Sequence, residues 1–345
     1  ILALAGSRAD CARRLAEITI GFNTTGQAVR AKDLRATGAM MVLLNEAIKP
    51  NLAQTTEHTP ALIHAGPFAN IAHGTSSVIA QRTALQLAEY VVNEVGFAAD
   101  LGAEKYLDIV MPSSGIKPSA AVLVATLRAL RRHDPDNQSN LTPGLENLAK
   151  HIENLRKFHL PTVVALNHFP DDKDEDVGAV KQLCAESGVE FAHSNVFARG
   201  GDGGLEIAEK VISAADGANL DAVKPIYAAD LGIAEKISAV AAEIYGANAV
   251  EFSAAARDKI EKFSALGFAG LPVCIAKTQN SLSDDPKKLG APKGWTLTIT
   301  DAHLASGAGF IVAVAGNMLL MPGLPKIPQA VKMSVNEDGS IVGVN

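Results

Sequence analysis

Short apolar, β-branched runs alternate with amphipathic segments along most of the chain. This rhythm predicts strands alternating with helices. Ile18–Phe22 reads as a strand closed by the turn Asn23-Thr24-Thr25-Gly26. Ala39–Ile48 reads as a helix stopped at Lys49-Pro50, and Ala61–His64 as a short buried strand. Thr75–Glu89 has helical spacing, with Val78, Leu85 and Ala88 on one face. Tyr90–Val95 fits either an extension of that helix or a short strand, and Ala120–Ala125 is a further apolar strand. The polar stretch Arg131–Thr142 marks a boundary.

Beyond it, Leu145–Phe158 predicts a helix and Pro161–Leu166 a buried strand, followed by a solvated acidic loop, Asp171–Asp176. Val189–Val196 predicts a strand, then a glycine cluster and the helix Leu205–Ala215. Residues 216–225 read as a linker. Ile233–Ile244 predicts a helix with Ile233, Ile237, Val240 and Ile244 on one face. Pro272–Ala276, Thr296–Thr300 and Phe310–Val314 are strands, the last two joined by a Ser-Gly-Ala-Gly turn that suggests an antiparallel pair. A tail spaced by Pro322, Pro325 and Pro328 follows. Such alternation predicts an α/β fold with a mostly parallel sheet and helices on both faces.

Composition narrows the function classes. In 345 residues, 48% are hydrophobic and 20% charged, which excludes a disordered chain. A net charge of −6 offers no overall cationic field for nucleic acid or anionic lipid. No stretch reaches the ~18 apolar residues of a membrane helix. Cys11, Cys184 and Cys274 form neither a disulfide framework nor a metal spacing, which fits a reducing cytoplasm. Ile1–Gly6 reads as a strand whose partner lies upstream, without an initiating Met or a basic leader. The expectation is therefore a fragment or split subunit, not a signal peptide.

Four segments at strand ends carry candidate chemistry, because ligands in open α/β sheets bind beyond the carboxyl ends of strands. The first is His64 to Gly74. There an imidazole at a helix start can donate to an oxyanion or move a proton, or simply pack as a structural histidine. Zinc has no support beyond His58, His64 and His73 lying near one another in sequence. The second is Asn167-His168-Phe169-Pro170-Asp171, whose ring can stack on a flat heterocycle or cap the core. The third, Phe197 to Gly204, can cradle a phosphate or serve as a flexible connection. Phe169 and Phe197 end successive strands, so in a parallel sheet both project from one edge. The fourth is the polar run Lys277–Asp285, a binding loop or a capped loop. P-loop, Rossmann, GxSxG and zinc motifs are all missing from the sequence given.

These residues, in this order, resemble the formate–tetrahydrofolate ligase (formyltetrahydrofolate synthetase) family. The matching segments include Ala47-Ile48-Lys49-Pro50-Asn51-Leu52, Gly66 to Gly74 (GPFANIAHG) and Ala99-Asp100-Leu101-Gly102-Ala103-Glu104-Lys105. Further along come Val124 to Leu130, Ala276-Lys277-Thr278-Gln279 and Met321-Pro322-Gly323-Leu324-Pro325. The resemblance implies ligation of formate to tetrahydrofolate, driven by ATP with Mg2+ and passing through formyl phosphate. It also implies a cytoplasmic homotetramer with a monovalent cation as a further candidate, and no nucleic-acid or membrane partner.

The implied fold is the remainder of a P-loop-NTPase-like, mostly parallel sheet (incomplete) over residues 1–142. A second α/β domain over 143–242 and a small half-barrel β domain over 243–345 complete it. Phe169 and Pro170 match the family's first pterin wall. Phe197 matches the second, which is often Trp. His64 matches a histidine near the formyl phosphate, with His73 as the other candidate. Asp100 matches a loop that helps order metal or nucleotide. Met111-Pro112 stands where the family often has Cys-Arg, so no role carries over there. The family's P-loop and a further arginine lie upstream of Ile1, so the chain alone is expected to lack ligase activity. A different class, a non-catalytic binding or assembly subunit, keeps the same fold. A Rossmann oxidoreductase fails on the missing fingerprint.

Overall fold

The computed structural model describes residues 1–66, 71, 73–136, 139–318 and 326–343. Pro67–Asn70 and Ala72 of the GPFANIAHG segment, and the Met321–Pro325 segment with Pro322 and Pro325 of the tail, lie outside the described residues.

Residues 1–6 form a turn and not the expected strand. The N–H groups of Leu4 and Ala5 both donate to the Ile1 carbonyl, so this backbone satisfies itself locally. Helix α1 (Arg8–Ala16) starts at the Ser7 cap and buries Cys11 and Leu15. Strands β1 (Thr19–Phe22) and β2 (Ala28–Arg30) pair as a hairpin about the predicted turn. Helix α2 (Thr37–Leu44) is apolar yet buries none of its residues. The expected buried strand at Ala61–His64 is instead half of an exposed antiparallel hairpin, β3 (Asn51–Gln54) with β4 (Pro60–Ile63). The sequence between them supplies a tight turn, so the local partner wins over a distant parallel one.

Helix α3 (Val78–Leu87) is capped by Ser77. Val78, Ala80 and Gln81 face inward, whereas Leu85 is exposed, which corrects the predicted face. Tyr90–Val95 is neither helix nor strand. Two π-helical turns follow, Ala99–Ala103 and Tyr106–Val110, flanking Glu104 and Lys105, and then the short helix α4 (Met111–Ser114).

A three-stranded parallel sheet occupies the middle of the chain. Strand β5 (Ala121–Ala125) leads into α5 (Leu127–Arg131) and α6 (Thr142–Lys157). Next come β6 (Thr162–Asn167), α7 (Asp174–Glu186) and β7 (Glu190–Ser194). The short α8 (Val196–Arg199) and the longer α9 (Leu205–Asp216) close the unit. The sheet order is β5-β6-β7, so β5 joins strands on the far side of the boundary drawn at residue 142. Half of the expected acidic loop is helix: Asp174, Glu175 and Asp176 form the first turn of α7, where negative charge complements the helix dipole.

Helix α10 (Ile233–Val240) continues into a π turn (Ala241–Tyr245), and Ile233, Ile237, Val240 and Ile244 are all buried. Strand β8 (Ala249–Phe252), helix α11 (Ala254–Phe263) and strands β9 (Val273–Ala276), β10 (Thr296–Ala305) and β11 (Phe310–Ala315) follow. The sheet runs β8-β10-β11-β9, with β10 and β11 antiparallel as expected and the outer pairs parallel. A small exposed hairpin, β12 (Ser334–Val335) with β13 (Ile341–Val342), ends the described chain. The largest apolar core joins Leu4, Val78, Tyr106, Phe158, Ile237 and Ile311, residues far apart in the chain. A second core fills the space between the parallel sheet and α6 and α7. Among the described residues no helix is long and apolar enough to cross a membrane.

Two helical glycines give opposite predictions. A Cβ on Gly144 of α6 would sit 2.2 Å from the Leu130 carbonyl oxygen, whereas one on Gly178 of α7 meets nothing within 4 Å. Gly144→Ala is expected to destabilise by about 1–3 kcal/mol through forced separation of backbones. Gly178→Ala is expected to stabilise by about 0.5–1 kcal/mol, since an open helical site only loses unfolded-chain entropy. Urea unfolding midpoints of the two variants check this, and equal shifts in the same direction would contradict it.

Candidate active site

Strands β6 and β7 run parallel and end together, with Asn167 opposite Ser194. The chain therefore leaves both strands at one edge, carrying Phe169 and Phe197 with it. Phe169 is half-buried and held on several sides. The Arg128 guanidinium, just past β5, lies 4.1 Å from its ring centroid. Arg128 is in turn fixed by Asp171 at 2.7 Å, and the Asp172 carboxylate accepts the Phe169 N–H at 2.9 Å. One face of the ring is thus covered by a cation, a favourable stacking geometry. Pro170 is exposed beside it. Phe197 is 89% exposed.

The glycine cluster after Phe197 is a short 3-10 turn, Gly200–Gly204. A Cβ on Gly203 would lie 2.3 Å from the Asn195 carbonyl oxygen, so the close return of the loop requires glycine. The Gly201 N–H donates to the Glu57 carboxylate at 2.5 Å, reaching across to the tip of the β3–β4 hairpin. This loop therefore receives an anion on its backbone, and the anion is a carboxylate of the same chain.

The two candidate histidines lie in different surroundings. His64 is partly accessible, with Nδ1 2.7 Å from Ser77 Oγ and Nε2 2.8 Å from the Ala47 carbonyl oxygen. His73 is buried against the edge of Phe310, with ring centroids 5.9 Å apart. Burial, helped by nearby positive charge, pushes His73 down to about 3. It is therefore neutral through the physiological range, and its Nδ1 finds no hydrogen-bond partner among the described residues.

Asp100 belongs to a buried charge cluster. Its carboxylate pairs with the fully buried Lys277 at 2.8 Å, and His151 lies 3.9 Å away. Burial alone would raise the Asp100 carboxyl, but Lys277, then His151, outweigh it and leave it lowered. Lys277 is lowered by burial, against the pull of Asp100. Its ammonium also donates to the Thr278 carbonyl at 3.0 Å and to the Ser281 carbonyl. Asp100 is thus engaged by Lys277, with His151 close by, inside the core. Among the described residues no group of three or more His, Cys, Asp or Glu is placed to hold a metal ion.

One helical turn along, Glu104 and Asp108 form a coupled pair. Glu104 is pushed well up, first by burial and then by Asp108, against Lys105. Burial pushes Asp108 up to about 7, opposed by the Ile226 N–H, which donates to it at 2.8 Å, and by Glu104.

Sequence reasoning did not single out Arg128, Ser77 or the Lys277 pairing. Thr126 as the α5 cap, with its side chain accepting the Ala129 N–H, was a signal that Arg128 starts a helix at a strand end. A helix cap signal at Ser77 was equally present. Nothing local indicates that Asp100 meets Lys277.

Comparison with known proteins bears on this geometry. A family model described as "Formate--tetrahydrofolate ligase" matches residues 1–345. A formate–tetrahydrofolate ligase of Petrotoga mobilis (strain DSM 10674 / SJ95) is 48% identical over 353 residues, an alignment that covers 100% of this chain and 63% of the relative. The chain therefore spans under two thirds of the length of the curated relative it matches.

The Asp108 carboxyl predicts a pH dependence of stability. With its folded value near 7 against an ordinary 3.8, the folded chain keeps this proton after the unfolded chain has lost it. The stability it contributes is full below about 4 and is lost as pH rises through about 7. Asp108→Asn keeps an acceptor for the Ile226 N–H and removes the titration. The parent is expected to lose stability relative to Asp108→Asn between pH 4 and 7, read from urea unfolding at each pH. A stability difference that stays constant over that window would contradict the assignment.

Proposed function

The chain belongs to the formate–tetrahydrofolate ligase family, and on that premise we propose that it supplies folate-stacking walls and an oxyanion-facing histidine to the ATP-dependent ligation of formate to tetrahydrofolate. A formate oxygen attacks the γ-phosphorus of ATP. The new P–O bond forms as the bond to ADP breaks, giving formyl phosphate. N10 of tetrahydrofolate then attacks the formyl carbon, the C–O bond to phosphate breaks, and N10 loses its proton. Both steps require neutralised phosphoryl oxygens and donors aimed at developing negative charge. N10 is an aniline-like, weakly basic nitrogen, so positioning counts for more than a strong base. ATP brings Mg2+ with it, and no step here is assigned to a metal ligand of this chain.

The observation that carries the reading is the pair of phenylalanines on one sheet edge. Phe169 is pinned by Arg128 and Asp172, and Phe197 stands 89% exposed on the neighbouring strand end. An aromatic side chain left in water at a strand edge suits a flat heterocycle such as the pterin ring. Pro170 extends the first wall. Of the two histidines, His64 fits the formyl phosphate better, because His73 is buried and packed against Phe310.

Truncating Phe169 or Phe197 to Ala is expected to lose on the order of 1 kcal/mol of stacking. That corresponds to a roughly fivefold to tenfold weaker affinity for tetrahydrofolate. Phe197→Trp is expected to hold or improve it, because the indole face is larger. Calorimetric titration with tetrahydrofolate, with circular dichroism to verify folding, provides the check. A folded Phe197→Ala protein that binds as tightly as its parent would rule out this wall.

A further inference from the structure

We infer that Ser77 is a positioning residue that fixes the His64 ring in the tautomer with its proton on Nε2 and a lone pair on Nδ1, so that His64 serves the acyl phosphate as an N–H donor and not as a base. This rests on the assignment of His64 to the formyl phosphate made above.

The inference follows from what each partner can do. The Ala47 carbonyl oxygen, 2.8 Å from Nε2, can only accept, so Nε2 must donate. In a neutral ring, Nδ1 then carries a lone pair, and the contact at 2.7 Å requires the Ser77 hydroxyl to donate to it. Ser77 is free to do so. Its oxygen accepts the Ala80 N–H at 2.9 Å as the cap of α3, which leaves its proton available. Ser77 is fully buried, so no water competes for that proton.

The chain assembles this arrangement from three places. The segment Ala47 to Leu52 contributes the carbonyl, the end of β4 delivers His64, and the start of α3 provides Ser77. The Ala47 carbonyl is the resting partner of the Nε2–H. A formyl phosphate oxygen is an acceptor of the same kind with more negative charge. It can replace the carbonyl at that N–H without any change of tautomer, and donors prepared in advance are what a developing oxyanion requires.

Capping and positioning make different demands on residue 77. Ser, Thr and Asp all cap a helix well. Only Ser and Thr have a proton to give to Nδ1. The experiment is ¹⁵N NMR of the His64 ring in the parent chain, Ser77→Thr and Ser77→Asp, with urea unfolding of each. The parent and Ser77→Thr are expected to show a protonated Nε2 and an unprotonated Nδ1. Ser77→Asp is expected to move a proton onto Nδ1 while keeping a similar unfolding midpoint. A parent ring protonated on Nδ1 overturns the inference whatever the variants do. So does a folded Ser77→Asp ring that still carries a lone pair on Nδ1.

A ligation assay, run on the chain joined to the upstream segment that carries the family's P-loop, separates the two layers of the argument. Glutamine keeps an N–H donor but is no base, so His64→Gln is expected to retain at least tenfold more kcat than His64→Ala. Equal losses in the two variants would overturn the donor role. Unchanged activity in His64→Ala would instead remove His64 from the formyl phosphate site and leave the tautomer result standing.

Discussion

The buried ion pair between Asp100 and Lys277 is the strongest electrostatic constraint inside the core. Removing two charges from water costs several kcal/mol each, and the cost is recovered only when the partners are close and their other hydrogen-bonding capacity is met. Here the pair is 2.8 Å apart, and Lys277 also reaches the Thr278 and Ser281 carbonyls. Its ammonium lies 5.1 Å from the centroid of the Tyr245 ring. The pair thereby ties the π-helical stretch from residue 99 to the end of β9 and sets the turn that follows. A substitution that removes one partner of the ion pair is costly, because the remaining charge is stranded in the core.

The proposed walls lie just past the ends of parallel strands. The parallel sheet puts the ends of β5, β6 and β7 at one edge. Arg128 comes from the first, Phe169 from the second and Phe197 from the third. The histidine comes from elsewhere, the end of a hairpin strand joined to a helix cap. A second hairpin contact, Glu57 on the Gly201 amide, links the same hairpin to the loop that carries Phe197.

Much of this was legible in the sequence, for physical reasons that differ by element. The face of α10 follows from 3.6-residue periodicity, which burial enforces directly. The parallel order of β5, β6 and β7 follows from strands separated by helices. Ala61–His64 misled because an apolar run of four residues says nothing about its partner, and here a nearby turn favoured an antiparallel hairpin. Residues 1–6 misled in the same way: apolarity reported burial, while hydrogen bonding chose a turn. Asp174 to Asp176 looked solvated and is solvated, but their charge also suits a helix start. Phe169 and Phe197 were legible as an edge pair because parallel strands fix which ends coincide. Asp100 was not legible as an ion-pair partner, since a carboxylate in an apolar motif reads the same whether it meets a ligand or a lysine brought in from another sheet.

The most direct test of this account is a double-mutant cycle on Asp100→Asn and Lys277→Met, followed by urea unfolding. If the pair is the internal tie described, each single change is expected to cost about 3–5 kcal/mol, because it strands the opposite charge in the core. The double variant is then expected to be less destabilised than the sum, by at least ~1 kcal/mol of coupling. Strictly additive losses, or single variants that unfold like the parent, would contradict it.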